Sequence, residues 1–330
     1  MEKLLRGDAC HEYLLKKRPL LQFDETADFM AWRQCMRETL SNVLGDMPQK
    51  CQLNVAVEYE KHEDGYRKIR FTYAAEEFTR VPAYLLVPDG NGPFPVALCL
   101  QGHTTGMHIS MGEARFPGDD KWIPHYSHGL NAVRNGFAAL VIEQRGMGER
   151  VSEVTKDDHF AAHTALLVGR TLIGERVWDI SRGIDALGYF AGQNLDVRRL
   201  ACVGNSGGGT ASYYAAAVDK RIGLTVASCS VCSYADSIGA MYHCICNYLP
   251  GAAKYFDMGE VSALIAPRGL IVVAGENDPI FPIAGVRKVY DTIEKIYKIC
   301  GVPNKCRLIV NDGGHDFKGD AVWKIAACAI

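Results

Sequence analysis

No run of about 18 consecutive apolar residues occurs in the 330-residue chain, so nothing in it reads as a membrane span. The stretch Met1-Glu2-Lys3-Leu4-Leu5-Arg6-Gly7-Asp8 is broken by charges before any apolar segment reaches signal-peptide length. The expectation is an unexported, cytoplasmic protein. An excess of one charge is also missing. With 36 Lys+Arg against 38 Asp+Glu, the formal net charge is -2, which leaves no basic footprint for nucleic acid and no membrane-seeking patch. Internal repeats, low-complexity tracts and flexible linkers are absent as well, so no composition shift divides the chain. Cysteine is plentiful at 12 residues, but it is dispersed, and Cys99, Cys202 and Cys328 sit in apolar runs. That pattern fits reduced thiols rather than a disulfide scaffold. A homo-oligomer is compatible with all of this.

Hydrophobic residues make up 48% of the chain, enough for a sizeable core. Residues 1–50 read as an N-terminal helical extension that packs on a main domain of residues 51–330, with Phe29, Trp32, Met36 and Leu40 at helical spacing. Leu53 to Glu60 and Arg67 to Tyr73 flank the turn signal His62-Glu63-Asp64-Gly65 and predict an edge hairpin, and Val81 to Val87 adds a strand. Short, continuously apolar runs follow at Val96 to Leu100, Ala138 to Ile142, Leu200 to Val203, Leu224 to Ala227, Leu270 to Ala274 and Leu308 to Val310. Strands buried on both faces of a parallel sheet read this way. The predicted class is α/β: a mostly parallel, doubly wound sheet of about eight strands with helices on both faces. Connections near 103–136 and 146–174 are much longer than usual and leave the carboxyl ends of strands, which makes them lid candidates.

The chain is organised around Leu200-Ala201-Cys202-Val203-Gly204-Asn205-Ser206-Gly207-Gly208-Gly209-Thr210. An apolar strand runs into Gly-x-Ser-x-Gly and then into small residues suited to a closely packed helix. This is the form of a sharp strand-to-helix turn that lifts Ser206 above the sheet. Side chains at Gly204 or Gly208 would collide where strand and helix cross.

A serine hydroxyl needs a base, and the base needs an acid to orient it. Asp278 follows the run Leu270 to Ala274, and His315 follows the run Arg307 to Val310, in the order serine, acid, histidine. The N–H of Gly207 and that of His103, with Thr104 second, are the expected oxyanion donors, because both lie just past strand ends. Gln101, Trp122 and Tyr126 are expected to line the substrate pocket, and His108, His125 and His128 to sit in the pocket or at the surface. Cys229-x-x-Cys232 and His243-Cys244-x-Cys246 invite a metal, but their spacing is not that of a structural zinc site. No metal and no cofactor are expected.

Gly204-x-Ser206-x-Gly208, Asp278 and His315 resemble the serine hydrolases of the α/β-hydrolase superfamily over roughly Arg67 to Ile330. Within it, Glu143-Gln144-Arg145-Gly146-Met147-Gly148, the stretch Gly169 to Asp179, and Ala266-Pro267-Arg268 resemble the acetyl xylan esterase and dienelactone-hydrolase-like group. Dienelactone hydrolases proper carry a cysteine where Ser206 stands. The resemblance implies the α/β-hydrolase fold and a cofactor-independent esterase for a small-molecule ester, often an acetylated carbohydrate. A peptidase of the prolyl-oligopeptidase type would need a large gating domain, for which the N-terminal segment is too short. A catalytically silent binding protein on the same fold is the rival from another class.

Overall fold

The computed structural model describes residues 6–330. Its centre is a nine-stranded sheet in the order β1-β2-β3-β5-β4-β6-β7-β8-β9. The strands are β1 (Ala56–Glu63), β2 (Tyr66–Glu76), β3 (Thr79–Pro88), β4 (Phe94–Leu100), β5 (Ala138–Ile142), β6 (Leu195–Asn205), β7 (Ile222–Ser228), β8 (Gly269–Gly275) and β9 (Cys306–Asn311). β1, β2 and β3 form an antiparallel meander, and β3 joins β5 antiparallel; from β5 onward the sheet is parallel. β1 is an edge, largely exposed, and carries Glu58, Glu60, Lys61, His62 and Glu63.

The continuous apolar runs have their explanation in two core layers. Along β4, Val96, Leu98 and Leu100 enter one layer, while Ala97 and Cys99 enter the other. Because side chains alternate along a strand, covering both faces requires apolar residues at every position. The first layer holds the helices Leu172–Ala186, Gly207–Val218 and Ile283–Ile299; the second holds His128–Arg134 and Gly319–Ala329. β6 begins at Leu195, five residues before its apolar run, by pairing Leu195 and Asp196 with Phe94 and Pro95.

The helix Phe29–Leu44 starts at Asp28, whose side chain accepts the N–H groups of Met30 and Ala31. Asp28 thus satisfies two of the donors that a helix start leaves open. Its buried face, Met36, Leu40, Val43 and Leu44, belongs to the first core layer. The connection after β4 is not a free lid at its start. Met107, Ile109, Met111 and Tyr126 are sunk in the second core layer. The connection after β5 carries the helix His159–Leu167 and is tied down by Asp179, which accepts from Arg145 Nη2 at 2.8 Å and Arg150 Nη1 at 2.7 Å.

Candidate active site

β6 ends at Asn205, and the helix Gly207–Val218 begins two residues later, which leaves the whole turn to Ser206. Ser206 takes φ 54° and ψ −124°, a strained backbone for a residue with a side chain. The glycines make that turn possible. A Cβ at Gly204 would lie 2.4 Å from the Gly208 carbonyl, and one at Gly208 would lie 2.2 Å from the Leu100 oxygen.

The loops after β8 and β9 bring Asp278 and His315 together, with Nδ1 of His315 2.9 Å from Oδ2 of Asp278. Asp278 is buried, and its other oxygen accepts the N–H groups of Ile280 at 2.8 Å and Phe281 at 3.1 Å. Burial pushes this carboxyl up, but the His315 bond and the backbone donors outweigh it and hold the group below its ordinary value. Asp278 is therefore ionised at neutral pH. The His315 ring stacks on Phe281 at 5.7 Å and 15°. Cys229, past the end of β7, is the third group at this spot, and burial pushes its thiol up to about 12. It is an inert neighbour at neutral pH. Ser206 Oγ makes no hydrogen bond among the described residues, a looseness common before a substrate aligns the groups.

The N–H groups of Gly207 and His103 have no acceptor among the described residues, whereas the N–H of Thr104 is spent on the Gly102 oxygen at 2.8 Å. Of the expected donors, the backbone leaves the first two open. Gly102 is required for their approach, since a Cβ there would lie 2.9 Å from the Asn205 oxygen. The His103 imidazole lies over Gly207, with Nε2 turned to Asp158 at 2.9 Å. Burial works against its charge, but the Asp158 bond wins and raises it to about 9.

Several expected pocket residues have other duties. Gln101 is completely buried and donates to Glu143 at 2.6 Å. It props the oxyanion loop from below instead of lining the substrate pocket. Tyr126 is buried as well, and its hydroxyl donates to the His315 carbonyl oxygen at 2.8 Å, bracing the histidine loop. Trp122 remains partly exposed and packs on Tyr126. His108 and His128 are neither pocket nor surface residues. The first is buried against Asp119 at 2.8 Å, and the second is fully buried beside Phe317.

Glu143 was not singled out from the sequence as a site residue. It also accepts the Met107 N–H at 3.1 Å, and burial pushes it up to about 7. Its position directly after the apolar run of β5 is the signal that marks it.

The sheet order, the crossover helices and the strained serine turn are those of the α/β-hydrolase fold. Residues 6–168 match the family model described as Abhydrolase family. YtaP of Bacillus subtilis (strain 168), provisionally described as a hydrolase, is 28% identical over 292 residues, covering 84% of this chain and 92% of that protein. The 4-O-methyl-glucuronoyl methylesterase of Hypocrea jecorina (strain QM6a) is 31% identical over 131 residues, covering 32% of this chain and 28% of that one. Among solved structures, a Bacteroides fragilis NCTC 9343 protein provisionally described as an acetyl xylan esterase superposes with a TM-score of 0.82 at 17% identity, covering 99% of this chain and 95% of that one. A glucuronoyl esterase from Solibacter usitatus gives 0.70 at 17% identity, covering 94% and 97%.

Proposed function

We propose that the chain is a serine carboxylic-ester hydrolase acting on a short acyl ester of a carbohydrate or other polar alcohol. The observation that carries this is the Asp278–His315 hydrogen bond at 2.9 Å, grouped with Cys229, whose neighbour Ser228 accepts the N–H of the serine held at φ 54°. In this reading Ser206 Oγ attacks the ester carbonyl while Nε2 of His315 takes its proton. Asp278 fixes the imidazole with its proton on Nδ1 and balances the imidazolium that forms. The N–H groups of Gly207 and His103 receive the oxyanion. His315 then protonates the leaving alcohol, and water repeats the sequence on the acyl-enzyme.

The acetyl xylan esterase supports a short acyl group on a sugar hydroxyl, and the glucuronoyl esterases support a sugar in the cleft, there as the acyl part of the ester. The packing supports a short acyl group. Met107, Ile109 and Met111, the aliphatic residues nearest the oxyanion loop in sequence, are buried in the second core layer and do not furnish a long acyl tunnel.

Fluorophosphonate labelling tests the chemistry, and a series of p-nitrophenyl esters tests the acyl group. Ser206→Ala is expected to abolish labelling and to lower kcat on the order of 10⁶-fold with the fold retained. Asp278→Asn is expected to cost about 10⁴-fold, because the imidazole is then held in the wrong tautomer. Acetate should outpace octanoate by at least about tenfold in kcat/KM, roughly 1.4 kcal/mol. A wild-type chain that takes no label at Ser206 is a silent binder on the same fold. A faster octanoate overturns the short-acyl reading alone.

A further inference from the structure

Beside the oxyanion loop, three stretches far apart in sequence bring His103, Asp158, Cys244 and Cys246 into one cluster. One ligand atom from each lies within 4.8 Å of all the others. Cys244 Sγ donates to Asp158 Oδ1 at 3.2 Å, Cys246 Sγ lies 3.2 Å from His103 Nε2, and that nitrogen lies 2.9 Å from Asp158 Oδ2. A tetrahedral zinc site with its usual bond lengths has ligand-to-ligand edges of roughly 3.3–3.8 Å, so small outward shifts would open the cluster around an ion. His243, adjacent to the cysteines in sequence, is not part of it; its Nδ1 faces the Cys244 carbonyl oxygen.

We propose that His103, Asp158, Cys244 and Cys246 form a binding site for a zinc-class divalent cation at the rim of the active-site cleft. Two thiolates, one imidazole and one carboxylate are a donor set that suits such an ion and suits magnesium or calcium poorly. The surroundings complete the site. Arg176, itself buried, donates Nη2 to Asp158 Oδ2 at 2.9 Å, and Asn247 Nδ2 donates to Cys246 Sγ at 3.4 Å. These are the outer contacts that orient metal ligands. Charge also balances: two thiolates and a carboxylate against a divalent cation leave one negative charge, which Arg176 offsets. Gly146 lets the loop close, since a Cβ there would lie 2.5 Å from the Asp158 Cβ.

The ion would cross-link the oxyanion loop, the connection after β5 and the segment after β7. With Nε2 bound to the cation, the His103 proton resides on Nδ1, the nitrogen that lies over Gly207. His103 would thus be a positioning residue for the oxyanion corner through its side chain, as well as an oxyanion donor through its backbone.

The site is tested by metal binding, independently of any ester turnover. The full chain, purified reduced and without chelator, should carry close to one zinc per molecule by elemental analysis. After metal removal it should bind one cobalt(II), with a sulfur-to-cobalt charge-transfer band and the intense visible bands of tetrahedral cobalt, and zinc should displace it. Cys244→Ser and Cys246→Ser should each weaken binding by more than the roughly 10–100-fold that loss of an outer contact costs. Cys35→Ser, an exposed thiol elsewhere, should leave it unchanged. Circular dichroism separates loss of metal from loss of fold. Failure of the wild-type chain to bind stoichiometric cobalt overturns the proposal. So does a band that survives both cysteine substitutions, or a Cys244–Cys246 disulfide found by mass spectrometry in the reduced preparation.

Discussion

His128 is fully buried against Phe317, and neither ring nitrogen has a hydrogen-bond partner among the described residues. Burial alone pushes its imidazole down to about 3, while the unfolded chain titrates near 6.5. Between those values the unfolded chain binds a proton that the folded one refuses, so stability falls as pH drops through 6.5. The loss by pH 5.5 is about 1.4 kcal/mol from this residue. His128→Leu removes the titrating group and two unsatisfied polar atoms. Urea midpoints should show the variant at least as stable as wild type at pH 7.5 and less sensitive to acidification to pH 5.5; equal slopes would contradict the burial argument. Sequence reasoning could not see this. A histidine is placed at the surface by default, and what buries His128 is Phe317, on the far side of the chain.

At the level of elements, Asp179 on the helix Leu172–Ala186 anchors the connection after β5 through Arg145 and Arg150, both largely buried. Removing Asp179 leaves the Arg150 guanidinium without a carboxylate in a low-dielectric setting, while Arg145 keeps Glu76 and Glu175. Asp179→Ala is therefore expected to destabilise the fold by about 3–5 kcal/mol, read as a shift in urea midpoint, and to loosen the loop that carries Asp158. A cost below about 1 kcal/mol, the range of exposed pairs, would show that the cluster is solvated. Ser206, Asp278 and His315 were legible because each follows a run of apolar residues that only a buried strand explains. The duties of Gln101 and Tyr126 were not. Their partners, Glu143 and the His315 carbonyl, lie 42 and 189 residues away. The same distance hid the cluster at His103, whose contact with Asp158 spans 55 residues and whose Cys246 contact spans 143.

Across the whole molecule, the N-terminal segment is part of the core. Met36, Leu40, Val43 and Leu44 are each at most 7% exposed, and each buried side chain contributes about 1.5–3 kcal/mol. Their combined loss rivals the net stability of an ordinary domain, about 5–15 kcal/mol. A chain beginning at residue 46 is expected to be unfolded or aggregated by circular dichroism and size-exclusion chromatography. A soluble, cooperatively folding truncation would show the segment to be a dispensable attachment. The helical spacing from Phe29 to Leu40 announced this helix, but not that it is built into the same layer as β4 and β6.

The exposed β1 edge also determines how copies of this molecule can meet. Its Glu58, Glu60, Lys61, His62 and Glu63 would have to be stripped of water to extend the sheet into a neighbour. Charged side chains on an open edge discourage that kind of pairing. Sheet-to-sheet self-association is thereby steered away from β1 and left to the opposite edge, β9, where Arg307 is the one charged residue between Cys306 and Asn311.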